Sequence, residues 1–320
     1  MHSNFSTLKT IRGIAIEENV LLSQYTTFQL GGNCPCLITC STVLQLEAVV
    51  KFLREKEISF FVIGEGSNLV VSDFGVDCVV VRFVSKEPDI RLDGCKLAVS
   101  AAACLDDVAL FAAQQGLRGL NFASGIPGTV GGAISGNAGA FGQQISDCLF
   151  YAKLLGLTSK ERIVEKDALD FGYRSSNIQK SGDIILSATF VLLPEDPDAL
   201  LHERKNILKE RKEKHPDYKK IPCAGSFFKN IEVGGRRKAS GALLDQAGAR
   251  QMVVGGAGVF EKHANIIIKK NKNCCSQDVF DLSMQMKEIV KKNFDIELNR
   301  EVRFVGQFKD GKNQDNCLVW

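Results

Sequence analysis

Apolar residues along the chain recur with two different periods, and the alternation between them predicts short strands interleaved with helices. Val43, Leu46, Val50 and Leu53 fall at helical spacing and predict a helix over 41–56, with Ser41 placed to cap its start. Residues 60–63 read as a strand that runs into a glycine-bearing turn, and the β-branched run 78–84 reads as a buried strand. A second helix is expected over 106–115, ended near Gly116. Further strands are expected at 148–155 and 184–193, after which Pro194 and Pro197 break the pattern and mark a domain boundary. The remainder predicts a charged helix over 198–214, a helix over 239–247 and a strand over 265–269. An amphipathic helix over 276–293 carries Val279, Leu282, Met286, Ile289 and Val290. A last strand is expected at 297–305, then a loosely held tail at 309–320.

The segment 116–142 fits neither period. It holds nine of the 29 glycines, a density that no ordinary helix or strand tolerates. It is no polar linker either, because Leu117, Leu120, Phe122, Ile126, Val130, Ile134 and Phe141 are spread through it. Backbone packed closely against something bulky is the expectation.

Composition narrows the function classes. At 320 residues and 45% hydrophobic, the chain supports a sizeable core and two or three domains. Its net charge of only +3 lacks the footprint of a nucleic-acid binder. The odd count of 11 cysteines argues against a disulfide framework, and reduced thiols fit a cytoplasmic location. Cys34, Cys36 and Cys40 have no histidine or second cysteine pair nearby, so buried strand thiols are expected there rather than a metal site. The polar residues 1–12 lack the apolar core of a signal peptide, and no run approaches 18 apolar residues, so no membrane association is expected.

Five stretches could carry chemistry. Gly64-Glu65-Gly66-Ser67-Asn68-Leu69-Val70 follows a strand, and its successive N–H groups suit an anion nest or an ordinary strand-to-strand turn. Ser124-Gly125-Ile126-Pro127-Gly128-Thr129-Val130-Gly131-Gly132-Ala133, continuing to Asn137-Ala138-Gly139-Ala140, could wrap a pyrophosphate or form a packed glycine corner. Two such loops favour a dinucleotide over a mononucleotide. Arg174, beside Tyr173, is either a stacked surface pair or a bidentate grip for a carboxylate. Ser226, within Ala224-Gly225-Ser226-Phe227-Phe228-Lys229-Asn230, is a turn serine or a hydroxyl donor. Glu301 shares parity with Arg303 and reads by default as solvent-facing, although a carboxylate in an apolar strand is costly to bury unpaired.

These stretches, in this order, resemble the UDP-N-acetylenolpyruvoylglucosamine reductase (MurB) family from about Asn19 to Gly306. The resemblance also takes in Tyr25-Thr26-Thr27-Phe28 with Gly31-Gly32, Asp73 and Gly75, Phe141-Gly142, Tyr173-Arg174-Ser175-Ser176, Lys262-His263-Ala264-Asn265 and Glu301-Val302. The short span between the arginine and serine motifs is similar to the shorter, type II branch. The resemblance implies an α+β chain, with an FAD-binding domain of the vanillyl-alcohol-oxidase type at 1–195, itself split near 75–80. A smaller α+β substrate domain would occupy 196–308. The activity it implies is reduction of the enolpyruvyl group of a UDP-linked amino sugar by FAD and NADPH, in peptidoglycan precursor synthesis, by a cytoplasmic monomer.

By the same resemblance, Arg174, Ser226 and Glu301 are the expected catalytic residues. Cofactor contacts are expected from Tyr25, Thr26, Gly64, Gly66, Ser67, Asn68, Leu69, Gly125, Ile126, Pro127, Gly128, Gly131, Gly132, Asn137, Ala138 and Gly139. Substrate contacts are expected from Tyr173, Lys214, Lys229, Asn230 and His263, although Lys214 also suits a solvated helix face and His263 a structural histidine. Two positions depart from the family pattern: Ile231 replaces the usual proline, and Ile266 replaces the usual aromatic. The competing expectation is a flavin oxidase of the same fold. Of the four histidines, His2, His202, His215 and His263, none but His2 at the extreme N-terminus falls in the expected FAD domain, so no histidyl tether is expected there, while a cysteinyl one stays open; the resemblance implies a non-covalent FAD.

Overall fold

The computed structural model describes residues 8–233 and 236–309. Apart from Lys309, the expected C-terminal tail lies outside the described residues. The first layer comprises β1 (Ala15–Leu21), β2 (Asn33–Cys40), α1 (Val43–Glu55), β3 (Phe60–Ile63), β4 (Leu69–Val71) and β5 (Val79–Phe83). Strands β1, β2, β5 and β3 form one sheet in that order, antiparallel between β1 and β2 and parallel thereafter. The central β5 is buried at Val79, Val80, Val81 and Phe83, as a parallel strand covered on both faces must be. The cap of helix α1 lies one residue later than expected. Thr42, not Ser41, accepts the Gln45 N–H at 3.3 Å, while Gln45 Oε1 accepts from the Thr42 N–H at 3.2 Å, a reciprocal cap.

The second layer holds β6 (Ile90–Asp93), β7 (Lys96–Ser100), α2 (Leu105–Gln114), α3 (Val130–Ser135), β8 (Leu149–Leu155), β9 (Glu161–Glu165) and β10 (Ile184–Val191). Its five-stranded sheet runs β9-β8-β10-β7-β6 and is antiparallel throughout. One large core lies between this sheet, the first sheet and helices α1 and α2. Helix α3 corrects the expectation that the glycine-rich segment excludes helix. Thr129 caps it by accepting the Gly132 N–H at 3.3 Å. A Cβ on Gly64 would lie 2.4 Å from Thr129 Oγ1, so the end of β3 packs directly on the cap.

Beyond Pro194 come α4 (Pro197–Lys214), β11 (Cys223–Ser226), β12 (Ile231–Val233), β13 (Arg236–Lys238), α5 (Ser240–Gln246), β14 (Ala257–Phe260), β15 (His263–Lys269), α6 (Ser276–Phe294) and β16 (Arg303–Val305). Strands β11, β15 and β14, with Val253–Val254 at the edge, make a third, antiparallel sheet. It shares a second core with α5 and α6, and Phe28, Leu30 and Val70 from the first third of the chain are part of that core.

The expected strand 297–305 is shorter and serves two partners. Asn299 O accepts from the Lys229 N–H at 2.8 Å, and the Glu301 N–H donates to Phe227 O at 2.9 Å. Only then does β16 form, in parallel register with β4, pairing Arg303 with Leu69 and Val305 with Val71. Among the described residues no helix is long and apolar enough to cross a membrane. Cys34, Cys36 and Cys40 lie in β2, buried, and burial pushes their thiols up to about 11, 11 and 12.

Phe304 fixes this seam: it is 1% exposed and meets Phe308 at 4.9 Å and Phe280 at 5.1 Å between ring centroids. Phe304→Ala should lower unfolding stability by about 3–5 kcal/mol, read as a drop in the urea midpoint. A midpoint shift of under about 1 kcal/mol would show that the seam collapses around the lost ring.

Candidate active site

The two glycine turns meet face to face. Gly66 takes φ +61, and a Cβ there would lie 2.4 Å from Tyr25 O, so only glycine fits. Ser67 Oγ donates to Pro127 O at 3.0 Å, and the Gly128 N–H donates to Glu65 Oε2 at 3.2 Å, stapling one turn to the other. Gly128, at φ +122, would put a Cβ 2.8 Å from Ser67 Oγ. The N–H groups of Glu65, Gly66, Ser67 and Asn68 have no protein acceptor among the described residues. A run of free amides at a turn is a receptor for an anion.

The turns form one wall of a cleft of about 850 Å³. Of the expected cofactor positions, Gly64, Gly66, Ser67, Asn68 and Leu69 line it, as do Ile126, Pro127, Gly128, Gly132, Ala138 and Gly139. Ser135 adds a buried hydroxyl with no hydrogen-bond partner to the same wall. Free amides, an orphaned hydroxyl and glycine surfaces fit the pyrophosphate and flat rings of a dinucleotide such as FAD.

Five expected cofactor positions do not line the cleft. Tyr25 donates its hydroxyl to the Glu17 carboxylate at 3.1 Å, and Thr26 donates to Leu30 O at 3.1 Å; both stand behind the first turn. Gly125 gives its N–H to Asp106 Oδ1 at 2.6 Å and packs against Leu208 and Arg211 of α4. Gly131 donates to Ala101 O at 3.0 Å. Asn137 is fully buried, donating to Gly172 O at 2.9 Å and Gln144 Oε1 at 3.2 Å while accepting from the Ser146 N–H at 3.1 Å.

Opposite the turns, Arg174 Nε lies 2.9 Å from Glu301 Oε1, with the side chains only 20% and 23% exposed. Arg174 sits at φ +55 and also donates to Asn137 O at 3.4 Å and to Gly139 O. Lys229 Nζ donates to Arg174 O at 3.0 Å. Burial raises the Glu301 carboxyl, and the neighbouring Arg174 and Lys229 charges oppose that rise. Burial lowers the Lys229 ammonium, with Glu301 pulling the other way. The default reading of Glu301 as solvent-facing is therefore corrected: the chain at 299–301 pairs with 227–229 and turns this carboxylate inward. Asn68 Nδ2 donates to Glu301 O at 3.1 Å, joining the first glycine turn to that carboxylate's backbone.

Ser226 ends β11, directly after Gly225 at φ +74, and lines the cleft with Arg174, Lys229 and Glu301. Asn265, whose role the motif alone does not disclose, holds this segment. Its buried amide accepts from the Phe228 N–H at 2.9 Å and donates to Phe228 O at 2.8 Å, and its own carbonyl accepts from the Phe227 N–H at 2.7 Å. A side chain thus substitutes for a strand neighbour. Tyr173 and Asn230 line a second cavity of about 370 Å³, which shares Arg174, Ser226, His263 and Glu301 with the first. The Tyr173 hydroxyl accepts from the Asn230 N–H at 3.3 Å. Lys214 reaches the main cleft but is exposed and paired with Glu210 at 2.6 Å. Ile231 opens the hairpin of β12 and β13, and Ile266 is fully buried opposite Ser226.

Comparison with known proteins shows the family. The C-terminal domain of UDP-N-acetylenolpyruvoylglucosamine reductase matches residues 215–305, and an FAD binding domain matches 34–160. The UDP-N-acetylenolpyruvoylglucosamine reductase of Clostridium novyi (strain NT) is 37% identical over 91% of this chain and 92% of its own. That of Alkaliphilus oremlandii (strain OhILAs) is 33% identical over 93% and 97%. The crystal structure of the Thermus caldophilus UDP-N-acetylenolpyruvylglucosamine reductase superposes with a TM-score of 0.76 at 29% identity, covering 91% of this chain and 99% of that one.

His215 and His263 meet at the cleft with ring centroids 5.3 Å apart. Burial, then the neighbouring His263, Arg211 and Lys214, lowers His215 to about 4, and burial lowers His263. A histidine depressed on folding contributes stability that is complete above its ordinary unfolded value, about 6.5, and is lost as pH falls toward its folded value. Urea midpoints measured from about pH 7 down to about pH 5 should therefore fall, and His215→Phe should flatten that fall. An unchanged slope in the variant would show that His215 titrates alike in the folded and unfolded chain.

Proposed function

As a member of the UDP-N-acetylenolpyruvoylglucosamine reductase family the chain is an FAD-dependent oxidoreductase of peptidoglycan synthesis, and we propose that it reduces the enolpyruvyl ether of its UDP-sugar with NADPH through Arg174, Ser226 and Glu301. The observation that carries this reading is the Arg174–Glu301 pair at 2.9 Å, on the wall shared with Ser226 and facing the glycine turns. We assign residues 1–195 to the FAD domain and 196–308 to the substrate domain. The free amides of 65–68 and the Ser135 hydroxyl would hold the FAD, without a covalent tether.

Bound FAD would supply the hydride, drawn from NADPH, from its N5 to the C3 methylene of the enolpyruvyl group. Negative charge then develops at C2 and spreads into the substrate carboxylate, and the residues opposite the turns meet that charge. Arg174 presents a guanidinium already ordered by Glu301, Gly139 and Asn137. A substrate carboxylate entering there competes with Glu301 for the guanidinium. Burial raises Glu301, which favours its protonated form once the substrate carboxylate takes up Arg174; a Glu301 carboxyl protonated from solvent as the substrate binds would donate a hydrogen bond to the developing enolate. Ser226 delivers the proton to C2. A serine hydroxyl is a poor acid in water, but a carbanion is a strong base, and Asn265 holds the serine's strand end in place.

The purified chain should show flavin absorbance, and the colour should leave the protein on denaturation. Under anaerobic conditions NADPH should bleach it, and the enolpyruvyl sugar should restore it. Ser226→Ala should keep the bleaching rate and slow the recovery about a hundredfold or more. Equal loss in both halves would remove Ser226 from the role of proton donor.

A further inference from the structure

Where the family pattern has proline, Ile231 opens a two-stranded hairpin, β12 paired with β13 in the register Ile231 to Lys238 and Glu232 to Arg237. Proline brings no N–H and resists this pairing. The neck of the hairpin is closed by the site itself. Asn230 Oδ1 accepts from the Ser240 N–H at 3.1 Å, and Ser240 Oγ donates to Lys229 O. The hairpin thus rises from the residues that follow Ser226.

Arg237 lies on this hairpin, exposed to solvent, with its guanidinium carbon 4.1 Å from the centroid of the Tyr173 ring. Glu232 stands directly across the strand pair, yet no ion pair joins it to Arg237, and no other carboxylate pairs with Arg237 among the described residues. Tyr173 is itself fixed, because its hydroxyl holds the Asn230 N–H at 3.3 Å and Arg174 lies 5.1 Å from its ring. The charge of Arg174 is matched by Glu301, whereas that of Arg237 is unmatched. An ordered, solvent-facing guanidinium without an acid stacks on Tyr173, which lines the second cavity together with Ser226, Arg174 and Glu301.

We propose that Arg237 is a clamp for the diphosphate of the nucleotide-linked substrate, preorganised by stacking on Tyr173; the inference rests on the function proposed above. With the enolpyruvyl group at Ser226 and Glu301, the diphosphate lies one sugar ring away, toward the mouth formed by Tyr173 and Asn230. The glycine turns are committed to the dinucleotide and cannot also receive it. A planar guanidinium binds two phosphate oxygens at once, and one already stacked on an aromatic ring loses little freedom in doing so. Arg237 is in this account a binding residue, selecting nucleotide-linked over free sugars, and takes no part in proton or hydride transfer.

The test uses the FAD-loaded enzyme and UDP itself as probe. Arg237→Ala should weaken UDP binding, measured by calorimetry, and raise KM for the enolpyruvyl substrate, each about tenfold or more, while kcat stays within about threefold. Arg237→Lys should recover part of the loss, and Arg237→Met, which keeps an apolar stem over the ring, should not. The salt dependence of UDP binding should become shallower in Arg237→Ala. UDP affinity unchanged in Arg237→Ala, or restored in Arg237→Met, overturns the clamp. Failure of the unaltered enzyme to turn over the enolpyruvyl sugar removes the reading on which it rests.

Discussion

Between Asn299 and Val305 the chain satisfies its backbone against two partners in succession. Residues 299–301 bond to Phe227 and Lys229, and 303–305 then join β4 as a parallel neighbour. This double commitment holds the site together. It turns Glu301 toward Arg174, brings Asn68 of the first glycine turn onto the Glu301 carbonyl, and seats Phe304 among Phe280, Phe308 and Phe227. A regular strand over the same residues would bond to one partner throughout, and the carboxylate would follow the strand's alternation instead of the cleft.

The electrostatics of the cleft follow from that closure. Burial raises Glu301 and lowers Lys229; Arg174 and Lys229 oppose the rise of Glu301, while Glu301 opposes the fall of Lys229 and Arg174 adds to it. Three groups with two signs of charge therefore share one partly buried wall, a balance that an incoming carboxylate shifts. The opposite wall has almost no side-chain charge and offers main-chain donors instead. One wall is thus suited to an anionic dinucleotide held by amides, and the other to chemistry that moves charge.

The local devices that hold these walls are small and specific. Ser67 on Pro127, Glu65 on Gly128 and the buried Asn265 amide on Phe228 each replace a missing sheet neighbour with a side chain. Glycine is required where the turns touch, at Gly66 and Gly128, because a Cβ would meet Tyr25 O or Ser67 Oγ. Burial likewise lowers both members of the histidine pair that lines the cleft, because it strips solvent from the charged form.

The amino-acid sequence by itself determined the elements whose signal is local. Helices over 43–55, 105–114, 197–214 and 276–294 and strands at 60–63 and 79–83 stand within one or two residues of their periodic patterns, because each buries its own apolar face. The ordered glycine, arginine, serine and glutamate motifs likewise disclosed the family. Long-range pairing decided the rest. Thr42 displaced Ser41 as a cap, the glycine-rich segment formed a short helix because β3 packs on Thr129, and the final strand divided between two partners. Tyr25, Thr26, Gly125, Gly131 and Asn137 carry motif signals yet stand behind the cleft, bracing its walls. A motif records that a residue type is required. Only the folded chain shows which side of the wall it occupies, since that depends on contacts between residues more than two hundred positions apart, such as Asn68 and Glu301.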